Sequence, residues 1–203
     1  MRRESSTVVV LVGEADNQLV ARLGQSPNVS VARAPAPAPE GSQPPAVRPS
    51  WETGALAMRA AARRRSAYVI VPEDPLADVA AAWRAMWATP GASGGAVGFE
   101  ERAAGALAAW RDKQFELPDY YLVMAPAQPG GTGPDLYLGP MRAVRPRRVA
   151  VAVANGPAAG AARLLDTLRS LETGPWWPPL DELIDGARRF YEGGLAETQA
   201  APL

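Results

Sequence analysis

The chain has no cysteine and no histidine, and Lys113 is its only lysine. Without cysteine there is no disulfide, no thiolate nucleophile and no thiolate-bound metal. Without histidine the usual general base near neutral pH and the commonest zinc ligand are missing. No segment approaches the roughly 20 consecutive apolar residues of a membrane-spanning helix. The apolar run Val8–Val12 ends at Gly13-Glu14, too soon for the core of a secretory signal. The 21 basic and 21 acidic side chains cancel, so no global field draws the protein to nucleic acid or to an anionic membrane. These absences describe a soluble cytoplasmic protein, and the abundance of Ala, Gly, Pro and Arg is that of a GC-rich bacterial genome.

What is present is a repeated strand–turn–helix unit. Thr7–Val12 is a β-branched run without alternation, as in a strand covered on both faces. A helix follows to Leu23, with Asp16 as its cap and Gly24 as its stop. Asn28–Arg33 alternates, as a less buried strand does. Ser50 caps a helix predicted over Trp51–Arg65. Ala67–Val71 is the next strand. Asp74 and Pro75 are placed as cap and first residue of a helix whose stripe is Leu76, Val79, Trp83, Met86 and Trp87. Thr89–Gly98 is read as a flexible break and Phe99–Phe115 as a helix. Asp119–Ala125 and Arg148–Val153 are strands, and Asp135–Leu138 is read as a short extra strand or edge piece. The last helices are expected to end at Leu171 and Tyr191, separated by Gly174–Pro179.

Strands alternating with helices predict a three-layer α/β fold. Its expected core is a mostly parallel, five-stranded sheet, flavodoxin-like or Rossmann-like, with the order 2-1-3-4-5 preferred. Residues 1–193 form one domain in this reading. A proline-rich loop is inserted at 34–49 and a flexible tail occupies 194–203.

Three surfaces stand out. The first is an acidic crevice at the C-terminal ends of the strands, where doubly wound sheets bind ligands, with Glu14, Asp16, Glu73 and Asp74 as its candidates. These acidic turns after the first and third strands resemble the phosphoacceptor pocket of receiver domains, which holds a divalent metal. That family has Ser or Thr after strand four and Lys after strand five; here Ala125 and Asn155 stand there. The resemblance therefore implies a degenerate, non-phosphorylated receiver-like sensor, with Asp16 and Asp74 alternatively serving only as helix caps. The second surface is the cluster Arg142, Arg145, Arg147 and Arg148, which could hold an anion or nucleic acid. The third is Trp176-Trp177 in a proline-flanked loop, suited to docking the last helix or a partner protein.

Neither a G-x-G-x-x-G fingerprint nor a phosphate-binding P-loop occurs. The expected function is a non-catalytic protein-interaction or regulatory domain, with another protein as partner, nucleic acid disfavoured and no cofactor. A Mg²⁺-dependent enzyme or sensor built on the acidic crevice is the first alternative. An anion or nucleic-acid binder is the second.

Overall fold

The computed structural model describes residues 6–13, 17–36, 48–88, 93–125, 135–153 and 157–200. Five strands form one sheet: β1 (Thr7–Val12), β2 (Val29–Val31), β3 (Tyr68–Val71), β4 (Tyr120–Ala125) and β5 (Val149–Val153). All pairings are parallel, with Val9 of β1 beside both Ile70 and Tyr120. The expected three-layer architecture is present. The strand order is β2-β3-β1-β4-β5, so β1 and β3 exchange places relative to 2-1-3-4-5. β1 is the centre of the sheet, and its side chains alternate between two apolar layers. Val8, Val10 and Val12 face one layer, and Val9 and Leu11 face the other.

The placement of the helices follows from that order. The only connection that runs back toward the β2 edge is β1 to β2, carried by α1 (Asn17–Gly24). The later connections all run the opposite way along the sheet. They use α2 (Ser50–Ala61), then α3 (Ala77–Ala88) with α4 (Ser93–Arg111), then a π-helical turn (Tyr137–Met141) leading into α5 (Arg142–Val144). A uniform crossover hand puts helices of opposite travel on opposite faces. Accordingly Leu19 and Leu23 of α1 pack in one layer, whereas Met58, Trp83, Phe99 and Tyr137 pack in the other. After β5, α6 (Pro157–Arg169) returns to the α1 face through Leu164 and Leu168. α7 (Leu180–Ala200) lies on the α3–α4 face. The segment between α6 and α7 must therefore pass from one face to the other around the end of the sheet where the strands begin.

Several local expectations are corrected. Ser50 does not cap its own helix. It is knotted to the start of α3: its N–H donates to Asp78 Oδ2 at 2.8 Å, its hydroxyl donates to the Pro75 carbonyl at 3.2 Å, and the Asp78 N–H donates back to Ser50 Oγ at 3.0 Å. This exchange needs α2 pressed against the Pro75 turn, and a Cβ on Gly54 would lie 2.7 Å from Pro75 Cα. The break expected through Gly98 is helical from Ser93, and Gly95 lets α4 cross α3 closely; a Cβ on it would lie 2.9 Å from Met86 Cα. Asp135–Leu138 is not a strand. Asp135 Oδ1 accepts the N–H groups of Tyr137 at 2.8 Å and Leu138 at 3.3 Å, which starts the π-helical turn.

α7 continues through Gly193 to Ala200, beyond the expected end at Tyr191. It is held by Tyr191 against Trp87, with ring centroids 4.9 Å apart, and by Arg188 bridging to Glu100 of α4. Among the described residues no helix is long and apolar enough to cross a membrane. Most of the proline-rich loop, at 37–47, lies outside the described residues.

Two glycine substitutions separate close approach from helix propensity. Gly105 is exposed in α4, with nothing within 4 Å of an added Cβ. Gly105→Ala is expected to stabilise by about 0.5–1 kcal/mol in urea unfolding. Gly54→Ala gains the same propensity but drives a methyl into backbone, and is expected to destabilise by about 1–3 kcal/mol.

Candidate functional site

A concave surface lies at the N-terminal edge of the sheet. It is an open groove of about 1170 Å³ beneath Thr7, Tyr68, Tyr120 and Arg148, where the strands begin. Asp119 closes the strand starts together. Its carboxylate accepts the Val8 N–H at 2.7 Å, and its own N–H donates to the Val8 carbonyl at 2.9 Å. One wall of the groove is formed by the ends of α2 and α4, with Met58, Arg59, Trp110 and Lys113. The other is the segment joining α6 to α7, with Thr173, Trp176 and Trp177.

That segment is held by arginines. Arg148, only 8% exposed, donates Nε to the Pro175 carbonyl at 3.0 Å, Nη2 to Gly174 at 2.7 Å and Nη1 to Asp119 at 3.2 Å. Its guanidinium also lies between two rings, 5.0 Å from the Tyr120 centroid and 4.8 Å from that of Trp176. Arg145 Nε donates to the Trp176 carbonyl at 2.7 Å. Arg147 donates to the Thr173 carbonyl at 3.3 Å and pairs with Glu172 at 3.1 Å. Three of the four arginines in the candidate anion patch are thus engaged with the 172–176 backbone. Only a planar fork can serve several carbonyls and stack at once. Arg142 stands apart, exposed on α5.

The two adjacent tryptophans have opposite fates. Trp177 is buried; its Nε1 donates to the Pro118 carbonyl at 2.8 Å and its ring meets Tyr121 edge-on. It docks the segment onto the core. Trp176 remains 50% exposed, yet it is fixed by Arg148 beneath it and by the bond to its own carbonyl.

The cations around the groove are of a different kind from Arg148. Arg59 and Lys113 line it, and Arg63, Arg64 and Arg65 follow where α2 leads to β3, the Arg64 carbonyl accepting the Ser6 hydroxyl at 3.3 Å. All are exposed, and among the described residues none forms an ion pair. Lys113 also has φ of +57°. It ends α4 in the left-handed conformation that usually falls to glycine, with N–H bonds from Lys113 to Trp110 and from Gln114 to Ala109. A side chain there costs about 1 kcal/mol relative to glycine.

At the opposite edge Asp74 is engaged in the fold, whereas Glu73 Oε2 is buried without a hydrogen-bond partner among the described residues. β1 and β3 are neighbours, but Glu14 and Asp16 lie outside the described residues, as does Asn155. Glu73 and Asp74 turn to different partners. Glu73 faces Arg33 and the Ala34 backbone on the β2 side, and burial raises its pKa above the ordinary range despite them. Asp74 accepts the Leu76 N–H at 2.9 Å, the capping role expected of it, and its other oxygen accepts the Tyr137 hydroxyl. Burial pushes its pKa up to about 6, against the opposing pull of the Tyr137 and Leu76 hydrogen bonds. Among the described residues no group of three or more acidic or other ligating side chains could hold a metal ion. The string Gly91-Ala92-Ser93-Gly94-Gly95 spells G-x-S-x-G, but it joins α3 to α4, whereas a nucleophile elbow follows a strand and needs a histidine.

Sequence reasoning found Arg148, Trp176 and Trp177 but not the groove they help to form. Asp119, Tyr120 and Arg59 carry no motif. The one available signal was at Lys113, where the end of a helix lacks the expected glycine.

Two expectations test this description. Arg148→Ala leaves three carbonyls without their donor, and is expected to cost about 2–4 kcal/mol in urea unfolding and to speed amide exchange across 173–179. Arg148→Lys keeps the charge without the fork and is expected to recover less than half of that loss. For Asp74 the folded pKa lies above the unfolded one. Its stabilising contribution is therefore complete below pH about 4 and lost as pH rises through about 6. Relative to Asp74→Asn, wild-type stability is expected to fall by up to about 3 kcal/mol between pH 4 and 7; unfolding curves for both proteins across that range measure it. No protein-family model matches the chain, and no curated protein or solved structure matches it either, so its function has to be read from these residues.

Proposed function

We propose that this chain is a non-catalytic, protein-binding α/β domain whose contact surface is the groove at the N-terminal edge of the sheet. The observation that carries this reading is Trp176, half exposed and yet immobilised by Arg148 and Arg145. Tryptophan, tyrosine and arginine dominate the energetics of protein contacts. An aromatic side chain fixed before binding loses little entropy when a partner covers it. The groove beside it offers apolar depth at Met58 and Phe115 and polar rim groups at Arg59, Lys113 and Gln114. That layout, an apolar centre within a polar rim, is the anatomy of a protein interface.

Site-directed photocrosslinking in the host cell tests the reading. Trp176→p-benzoylphenylalanine is expected to give a discrete protein adduct, which competition by unlabelled wild-type chain removes. The same crosslinker at Glu101, on the exposed face of α4, is expected to give none. Equal labelling at both positions, or at neither, would remove the groove as the contact surface.

A further inference from the structure

The geometry points to an acidic protein segment as the occupant of the groove, with Lys113 as the residue that selects it. This rests on the groove being the contact surface and adds the chemistry of what it contacts. The first support is charge complementarity. Arg59 and Lys113 line the groove, exposed and without an ion pair among the described residues, and Arg63, Arg64 and Arg65, equally exposed, follow Arg59 in sequence. Cations at helix C-termini are favourable by themselves, which accounts for Arg59 and for Arg63–Arg65.

It does not account for Lys113. The chain's only lysine occupies a left-handed position where glycine would be less strained, and it lines the groove. Backbone strain retained at a concave surface marks a position held for contact rather than for stability. A flexible ammonium group is a point charge that can follow carboxylates along an irregular chain.

The aromatic surfaces favour protein over single-stranded nucleic acid. Binding along a single strand uses several open ring faces on which successive bases stack, and among the described residues lining the groove only that of Trp176 is open. Arg148 lies against both Tyr120 and Trp176, and Trp177 is buried. Glu116 also lines the groove and would repel a phosphate backbone, whereas a peptide can place an uncharged residue there. What remains open is the outer surface of Trp176, suited to an aliphatic or proline side chain between acidic neighbours.

Fluorescence anisotropy with the full chain tests this. The probes are a labelled peptide of Asp, Glu and Leu with a central Pro, its counterpart with Lys at every acidic position, and a single-stranded DNA oligonucleotide of equal length. The acidic peptide is expected to bind at least about tenfold tighter than either of the others, and to weaken as salt is raised. Lys113→Gly is expected to raise the thermal unfolding midpoint while weakening the acidic peptide about three- to tenfold. Lys113→Arg should retain binding, and Trp176→Ala should weaken it. If Lys113→Gly stabilises the protein without changing the peptide's affinity, the selecting role is wrong. Tighter binding of the oligonucleotide would overturn the choice of partner class. Self-association abolished by Lys113→Gly would make a second copy the occupant and overturn it as well. If the acidic peptide fails but crosslinking from position 176 persists, the partner chemistry is wrong and the contact surface stands. Loss of both removes the groove itself.

Discussion

The structure depends on β1 being buried on both faces. Val9 and Val10 have no exposed surface and point to opposite sides of the sheet. Neither layer can be omitted without exposing one of these rows to water, at a cost of about 25 cal/mol for each Å². Two covering layers and one hand of crossover require the chain to change faces. It does so last between α6 and α7, and the passage runs beneath the strand starts. A loop crossing there has backbone carbonyls that need donors. Arg148 supplies them from the first position before β5, and Arg145 and Arg147 supply the flanking ones. The arginine cluster and the tryptophan pair, far apart in sequence, are two halves of one fastening. The groove is the space the fastening encloses.

This dependence explains what was legible in the sequence and what was not. The strands were legible because β-branched runs such as Thr7–Val12 suit only an extended, covered conformation. β2 was rightly read as less buried from its alternation. The order of β1 and β3 was not legible, because both are continuous apolar runs and either could occupy the centre. Their exchange follows from which crossover travels back toward β2, a tertiary fact without a local signal. Ser50 looked like a cap and is one, but for the start of a helix 27 residues further on. Gly94, Gly95 and Gly98 looked like a break because glycine weakens helices. The cost is met by the close crossing that Gly95 allows against Met86.

The site residues divide along the same line. Asp74 was legible as a cap, since the pattern Asp-Pro-Leu carries its own local geometry. Its raised pKa was not, because that comes from Tyr137, 63 residues away, and from the core beneath. Trp176 and Trp177 are chemically identical in sequence. Only the fold separates them, since the turn at Gly174-Pro175 sends one ring onto Tyr121 and leaves the other on Arg148. Exposure at adjacent positions is a property of the surface they cross.

The two ends of the sheet have consequently been used in different ways. At the C-terminal edge Glu73 Oε2 is buried without a hydrogen-bond partner among the described residues, while three described carboxylates answer to the fold, Asp74 to Leu76 and Tyr137, Asp78 to Ser50, and Asp135 to the turn it starts. At the N-terminal edge the inner ring does the same, through Asp119 and Arg148. The outer ring does not. Lys113 retains strain that glycine would relieve, Trp176 retains an exposed ring that burial would stabilise, and Arg59 and Lys113 form no ion pair among the described residues. A fold optimised only for its own stability would have removed each of these at little structural cost. What they share is that a partner bound in the groove would compensate all of them together.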